Sequence, residues 1–315
     1  MKKMELVFEN KTKRRKAIVA TVGVCVKDSE EMIERALKSI LNQDFPHQLM
    51  EVVIVDDGSK DKTLSKVTRS VSGSDIPVRV FSGDWIGLGR ARNFIVKESR
   101  GIYILWVDGD MILDQSFVRK QVEFMQNTPD VGVAKATSSV SSSQNVLGFL
   151  EDSSYFAFCF RNKGPHAKIV GTGGSICRSE VIRAVGGFDD LLIGVGEDID
   201  LEYRIKKAGW SLYMQSPGVY SEKRRTTWAS LWKEYFWHGL GGSRLYRKNR
   251  EILSLYKLTP IAGFLAGVIY SMIAYKHVHR KMVFLLPVQF AFKRLAWCLG
   301  FIRGQFMGGS TLFCQ

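Results

Sequence analysis

Two acidic clusters attract attention because each closes an apolar, β-rich run. Asp108-Gly109-Asp110 comes straight after Ile102–Val107 (IYILWV), and Asp56-Asp57-Gly58-Ser59 follows Val52–Val55. Two carboxylates separated by a glycine can both approach one hard cation, and such a cation bridges the oxygens of a diphosphate. Read alone, Asp-Gly-Asp is equally a turn. A carboxylate of the DDGS cluster can accept hydrogen bonds from a nucleobase N–H or ribose hydroxyls, or else make an Asx turn and cap the next helix. Gly87-Leu88-Gly89-Arg90-Ala91-Arg92-Asn93 sets two arginines beside two glycines. It lacks the third glycine of a dinucleotide loop and the acid expected about 20 residues later. Arg92 is then a cation for a phosphate or base, or a surface arginine.

Gly171-Thr172-Gly173-Gly174-Ser175 bares its backbone, which lets a sugar or acceptor approach closely; an ordinary glycine turn has the same composition. Gly194-Val195-Gly196-Glu197-Asp198-Ile199-Asp200 leads into a helix with three acids in its first turn. These either complement the helix dipole or supply a general base. No Ser–His–acid set is implied. Of His47, His166, His238, His277 and His279 only the last two are spaced like metal ligands, and they lie in a basic bend that reads as interfacial.

The elements that must carry these groups alternate. Ala17–Val26, Val52–Val55, Val78–Phe81, Ile102–Val107 and Val131–Ala136 read as buried strands. Between the first four, Ser29–Asn42, Lys62–Ser70 and Leu88–Ser99 have helical spacing. Such alternation predicts right-handed βαβ units and an α/β fold with a mostly parallel sheet, whose ligands bind at the carboxyl ends of the strands. Farther on, 144–160, 179–186 and Glu197–Ala208 read as helices. Trp228–His238 is another, which the glycines at 239, 241 and 242 are expected to end.

The 315 residues are 45% hydrophobic and 24% charged, which excludes wholesale disorder and fibrous architectures. The five cysteines form no CxxC pair, which speaks against a disulfide scaffold and a structural zinc site. The net charge of +14 is unevenly spread. Residues 1–16 hold seven basic and two acidic residues, 223–250 eight and one, and 251–315 seven and one, which leaves 17–222 at −4. The basic tail is interleaved with apolar runs, a pattern that fits an anionic membrane surface better than nucleic acid. Leu258–Tyr275 has no charge over 18 residues and is bracketed by Lys257 and Lys276. Met282–Ile302 is apolar apart from Lys293-Arg294. A charged pair in mid-span is costly, so this second segment is expected in the interface or dipping into it.

In order and spacing, VGVCVKDSEEMIERALKSILNQDFP, EVVIVDDGSKDKT, GLGRARN, GIYILWVDGDMIL, GTGGSICRSEVI, GGFDD and GEDIDLEYRIKKAGW resemble the family 2 glycosyltransferases of the GT-A fold. The resemblance covers about residues 17–250. It implies a Rossmann-like GT-A domain there, between a basic extension (1–16) and a membrane-associated helical hairpin (251–315). It also implies inverting transfer of one sugar from a nucleoside-diphosphate sugar, assisted by Mg2+ or Mn2+. Carried over residue by residue, Asp56 and Asp57 contact the nucleoside, and Val26–Asp28, with Lys27, form the other wall of that pocket. Arg92 positions base or phosphate. Asp108 and Asp110 make the DxD-type motif, with Asp110 the direct metal ligand. Gly173 and Gly174 face the acceptor, and Asp198, with Glu197 alongside, takes the proton of the acceptor hydroxyl.

Two features depart from the pattern. Where many relatives have a histidine, this chain has Ser221-Glu222-Lys223, which makes Glu222 a candidate third metal ligand. The QxxRW motif of processive synthases is missing, so the resemblance implies addition of a single sugar. Arg224 and Arg225 read either as a diphosphate clamp or as a solvated basic face. The tail FKRLAWCLGFIRGQF looks like those of members acting on lipid-linked acceptors. The expected acceptor is polyprenyl-linked or a surface glycan, met at the anionic cytoplasmic leaflet of the cell membrane, with no nucleic acid involved. Two other readings are a catalytically silent nucleotide-sugar-binding scaffold and a nucleotidyltransferase; the latter needs a Gly- and Lys-rich phosphate loop that the first strand lacks.

Overall fold

Strand β2 (Ala20–Val26) is apolar on both faces because it lies inside the sheet. In the computed structural model, which describes residues 4–10, 17–139, 145–165, 167–192 and 195–306, β2 pairs in parallel with β3 (Met50–Asp56) and with β5 (Tyr103–Asp108). Strand β4 (Val78–Ser82) lies parallel to β3. The crossovers are the expected helices α1 (Ile33–Leu41), α2 (Thr63–Val71) and α3 (Leu88–Glu98). Ile33, Leu37 and Ile40 of α1 and Val67 and Val71 of α2 are fully buried with Val22, Val24, Val52 and Ile54, as an apolar stripe against a two-sided strand requires.

The sheet is mixed rather than mostly parallel. Among the described residues nine strands form one sheet in the order β1-β4-β3-β2-β5-β8-β7-β9-β6. Strand β8 (Ser175–Arg178) runs antiparallel between β5 and β7 (Val131–Ser138), and β7 is parallel to β9 (Ser211–Glu222). At the margins β6 (Met111–Leu113) pairs antiparallel with β9, and β1 (Glu5–Glu9) with β4. Part of the expected N-terminal extension is therefore an edge strand, with a glutamate at either end of three apolar residues. The seven basic residues of 1–16 lie outside the described residues, as do His166, Gly194 and the polar tail after Phe306. Helices α5 (Val146–Arg161), α6 (Ser179–Ala184) and α7 (Glu197–Lys207) fall where the sequence pattern places them, and α4 (Phe117–Asn127) is a further helix that the sequence reading did not include. Among the described residues no cysteine is in a disulfide.

The chain packs as two compact units, Met1–Ser139 with Asn162–Asp190 and Leu201–Lys223, and Val140–Arg161 with Leu191–Asp200 and Arg224–Gln315. This division does not follow the 17–250/251–315 reading, because the apolar tail recruits partners from earlier in the chain. In the second unit α10 (Leu286–Phe306) packs with α8 (Trp228–Lys248), α9 (Pro260–Val278) and α5, and α9 also packs with α5. Helix α8 does not end at His238. It runs through its glycines because they are packing sites: a Cβ on Gly242 would lie 2.6 Å from the Trp297 ring, and one on Gly239 would meet the Trp297 carbonyl. Gly241 likewise faces Val195. Close backbone contact offsets the roughly 1 kcal/mol that each glycine costs a helix.

The stretches Pro260–Val278 and Lys281–Phe306 are each long and apolar enough to cross a membrane, and most of each is unburied. Lys293 is nonetheless buried inside the unit, paired with Glu151, which also accepts a 2.7 Å hydrogen bond from Gln289. Its charge is therefore met by protein rather than by lipid.

In the first unit Arg79 is sunk beside Glu51 (3.2 Å) and Glu98 (2.9 Å), and Glu51 also accepts from Thr21 Oγ1 at 2.9 Å. Removing one partner of a buried ion pair strands the other. Arg79→Met is expected to lower unfolding free energy by about 3 kcal/mol in urea titrations, and Arg79→Met/Glu51→Leu to recover most of it.

Candidate active site

The parallel register gathers the acidic clusters. Val26 of β2 lies opposite Asp56 of β3, and Cys25 opposite Asp108 of β5. Lys27, Asp57 and Gly109 therefore leave the sheet from the carboxyl ends of three adjacent strands. Such an edge offers unpaired backbone groups and turns the chain sharply, which suits it to ligands.

The first cluster is held by the chain's own donors. The buried Asp56 carboxylate accepts from the Ser59 hydroxyl, from Ser59 N (3.3 Å) and from Ser82 Oγ (3.1 Å). Asp57 accepts from the backbone N–H groups of Ile86 (2.7 Å) and Gly87 (3.0 Å), the segment that leads into α3. Burial pushes the Asp57 carboxyl above its usual range, while those two N–H groups and nearby Lys27 pull the other way. Gly58 has φ +77°, and a Cβ there would lie 2.7 Å from Trp85 N, so the turn between the cluster and α2 calls for glycine. Lys27 Nζ bonds Asp28 at 2.8 Å and the Gly58 carbonyl at 3.4 Å. The Lys27–Asp28 wall and the DDGS turn are thus stitched together.

The second cluster is partly open. Asp108 is half-exposed and lies 3.8 Å from the guanidinium of Arg92, a buried residue that also faces the Phe188 ring at 5.6 Å. Arg92 is therefore no surface arginine. The 171–174 loop reaches the same carboxylate: a Cβ on Gly173 would fall on Asp108 Oδ2. Gly171 and Gly174 have φ +76° and +72°, and the loop hangs on Glu202, a buried acid of α7 that accepts from Val170 N (2.9 Å) and Gly171 N (2.6 Å). The spacing of the chain gave no sign of Glu202.

Among the described residues no group of three His, Cys, Asp or Glu side chains could hold a metal ion. Glu222, opposite Met111 in the β6–β9 ladder, does not complete such a set. The oxygen donors Asp108 and Asp110, with the cradle that a Gly173 Cβ would fill, fit a hard cation of the kind bound by one or two carboxylates plus substrate phosphates.

Asp198 and Glu197 belong to the second unit. Of the three acids in the first turn of α7, Asp200 is buried and paired with Lys248 of α8 at 2.7 Å, and Glu197 is buried. Asp198 is half-buried and accepts from Ile199 N at 2.8 Å. Gly196, at φ +93°, precedes it against Leu245. His238 lies in the field of Asp198 and Glu234. Burial pushes its imidazole below the ordinary value, with those two carboxylates opposing. In the sequence no ligand spacing marks His238. Arg224 pairs with buried Asp152 (2.9 Å) over the Tyr155 ring, and Arg225 with Glu234 (2.5 Å). Both arginines have protein partners.

The description of one protein family, Glycosyl transferase family 2, matches residues 21–186. The chain is similar to the poly(ribitol-phosphate) beta-N-acetylglucosaminyltransferase TarS of Staphylococcus aureus, 33% identical over 105 residues, which are 33% of this chain and 18% of that one. It is 26% identical to the succinoglycan biosynthesis protein ExoA of Rhizobium meliloti over 222 residues, 67% of this chain and 65% of ExoA. The chain thus spans less than two thirds of the length of both relatives. Among solved structures it is similar to the mannosyltransferase PcManGT from Pyrobaculum calidifontis in complex with GDP-Man and Mn2+, with a TM-score of 0.65, 17% identity, and coverage of 91% of this chain and 87% of that one. At such identity the likeness is one of fold, and it establishes the GT-A architecture.

His238 gives the second unit a pH signature. The unfolded chain takes up a proton near pH 6.5, whereas the folded protein resists it. Stability is therefore expected to fall as pH drops below 6.5, by at most about 1.4 kcal/mol per pH unit. Urea unfolding at pH 7.5, 6.5 and 5.5 checks this, with a shallower dependence expected for His238→Phe.

Proposed function

We propose, for a chain that belongs to glycosyl transferase family 2 and is a glycosyltransferase, that it moves one sugar with inversion from a nucleoside-diphosphate sugar to a lipid-linked or surface-glycan acceptor. The observation that carries the reading is the half-exposed Asp108 carboxylate, set between Arg92 and Gly173 at the carboxyl ends of parallel strands. The bound GDP-Man of PcManGT and the N-acetylglucosaminyl transfer named for TarS support a nucleotide-sugar donor.

In this reading Lys27, Asp56 and Asp57 shape the nucleoside pocket, and the carboxylates stay ordered because backbone N–H groups and hydroxyls already hold them. Arg92 meets the diphosphate or the base. Asp110 and Asp108 would hold Mg2+ or Mn2+, which when bound neutralises charge on the departing diphosphate. Gly173 and Gly174 let the sugar and acceptor come close. Asp198 accepts the proton of the acceptor hydroxyl while the acceptor oxygen bonds the anomeric carbon; the bond from that carbon to the diphosphate oxygen breaks and its electron pair leaves with the diphosphate. The single in-line displacement inverts that carbon. Exposed Ile261, Leu265, Ile269 and Met272 on α9, with flanking Lys257, Lys276 and Arg280, would keep the enzyme at the anionic cytoplasmic leaflet of the cell membrane.

A donor screen that follows released nucleoside diphosphate, with source membranes as acceptor, tests the reading. EDTA should abolish release and Mn2+ or Mg2+ restore it. Asp110→Ala should cut the rate about a hundredfold or more at unchanged urea midpoint; near-normal turnover would refute the metal assignment. Gly173→Ala pushes on the end of the flexible Asp108 side chain rather than on backbone. It should therefore keep its unfolding midpoint and lose at least tenfold in Mn2+-dependent release.

A further inference from the structure

Lys135 is a lysine in the interior of a sheet, in strand β7 and only 7% exposed. Its Nζ donates to the Gly173 carbonyl and lies 5.7 Å from the centre of the Tyr220 ring. Among the described residues no carboxylate pairs with it. Taking an ammonium out of water is costly unless an anion meets it, and a carbonyl plus an aromatic face compensate only in part.

The loop does not need this lysine as a prop. Glu202 already holds Val170 N and Gly171 N, Gly174 N donates to the Trp106 carbonyl at 2.8 Å, and the Gly174 carbonyl accepts from Ala136 N at 3.0 Å. A second group on the loop is also unmet. Thr172 is 8% exposed, and its buried hydroxyl has no hydrogen-bond partner among the described residues. Gly173 is common to both: its carbonyl accepts from the Lys135 ammonium, and a Cβ on it would fall on the Asp108 carboxylate.

We propose that Lys135 and Thr172 form a subsite for a phosphate oxyanion, the charge that the buried ammonium lacks and an acceptor that the hydroxyl can donate to. The proposal deepens the reading given above and rests on it. Two sources supply that chemistry, the diphosphate of the donor and a phosphate on the acceptor.

The test is calorimetric binding to the full chain in detergent. One arm titrates UDP and GDP, each with Mn2+; the other titrates a polyprenyl monophosphate against the corresponding polyprenol. Lys135→Met should weaken binding about tenfold in the nucleotide arm if the donor is the source, or abolish the preference for phosphate over alcohol if the acceptor is. Thr172→Val should weaken the same arm while leaving the unfolding midpoint equal or higher, since it removes an unsatisfied buried hydroxyl. If both variants bind every probe as the wild type does, Lys135 is a strut and the subsite is overturned. If Lys135→Met does not fold, Thr172→Val decides alone by the same criterion. A wild type that binds neither nucleotide nor phosphate instead overturns the glycosyltransferase-site reading on which the subsite rests.

Discussion

Like charges do not gather unless something holds them. Asp56, Asp57, Asp108 and Asp110 all leave the sheet at the carboxyl ends of β3 and β5, on either side of β2. The architecture of the first unit answers that repulsion with fixed dipoles and one buried guanidinium. Ser59, Ser82, Ile86 N and Gly87 N quiet the first pair, and Arg92 faces Asp108. The start of α3 is thereby pinned at both ends of the problem. Its preceding residues bind Asp57, and its own arginine sits by Asp108. A helix held this way carries its cation to a set place, which matters for a group that must stabilise charge without first reorganising.

Much of this was legible before any coordinates. The strands β2, β3 and β5, their intervening helices and the acidic ends could be read because two-sided burial writes a continuous apolar run and turns write Asp and Gly. The antiparallel direction of β8 was not legible, since SICR carries no record of the strand beside which it lies. Helix α8 was cut short at His238 because a glycine that ends a helix and a glycine that admits a neighbour look alike in sequence. Lys135 and Glu202 were missed for a related reason. Each is a common surface residue type whose burial depends on partners 38 and 31 or more residues away.

The second unit treats charge differently. Asp152, Asp200 and Lys293 are buried, yet each meets an opposite charge from another segment: Arg224, Lys248 and Glu151. These pairs fix which helix lies beside which, because a shifted register would leave a charge stranded. The apolar faces of α9 and α10 are undirected by comparison. Specific ion pairs on an otherwise greasy bundle give the unit one arrangement among many of similar apolar contact.

Helix α8 is bare on two of its sides. Gly239 and Gly242 rest on Trp297 of α10, while Gly241 rests on Val195, three residues before Asp198. Where a glycine meets its neighbour, the helix has no side chain of its own there to absorb a push, so the seam between the apolar tail and the acid-bearing turn has little slack. Evolution of the tail is constrained accordingly: a change at position 297 alters the seat of α8, and a helix stiffly seated on one side has little freedom to move on the other.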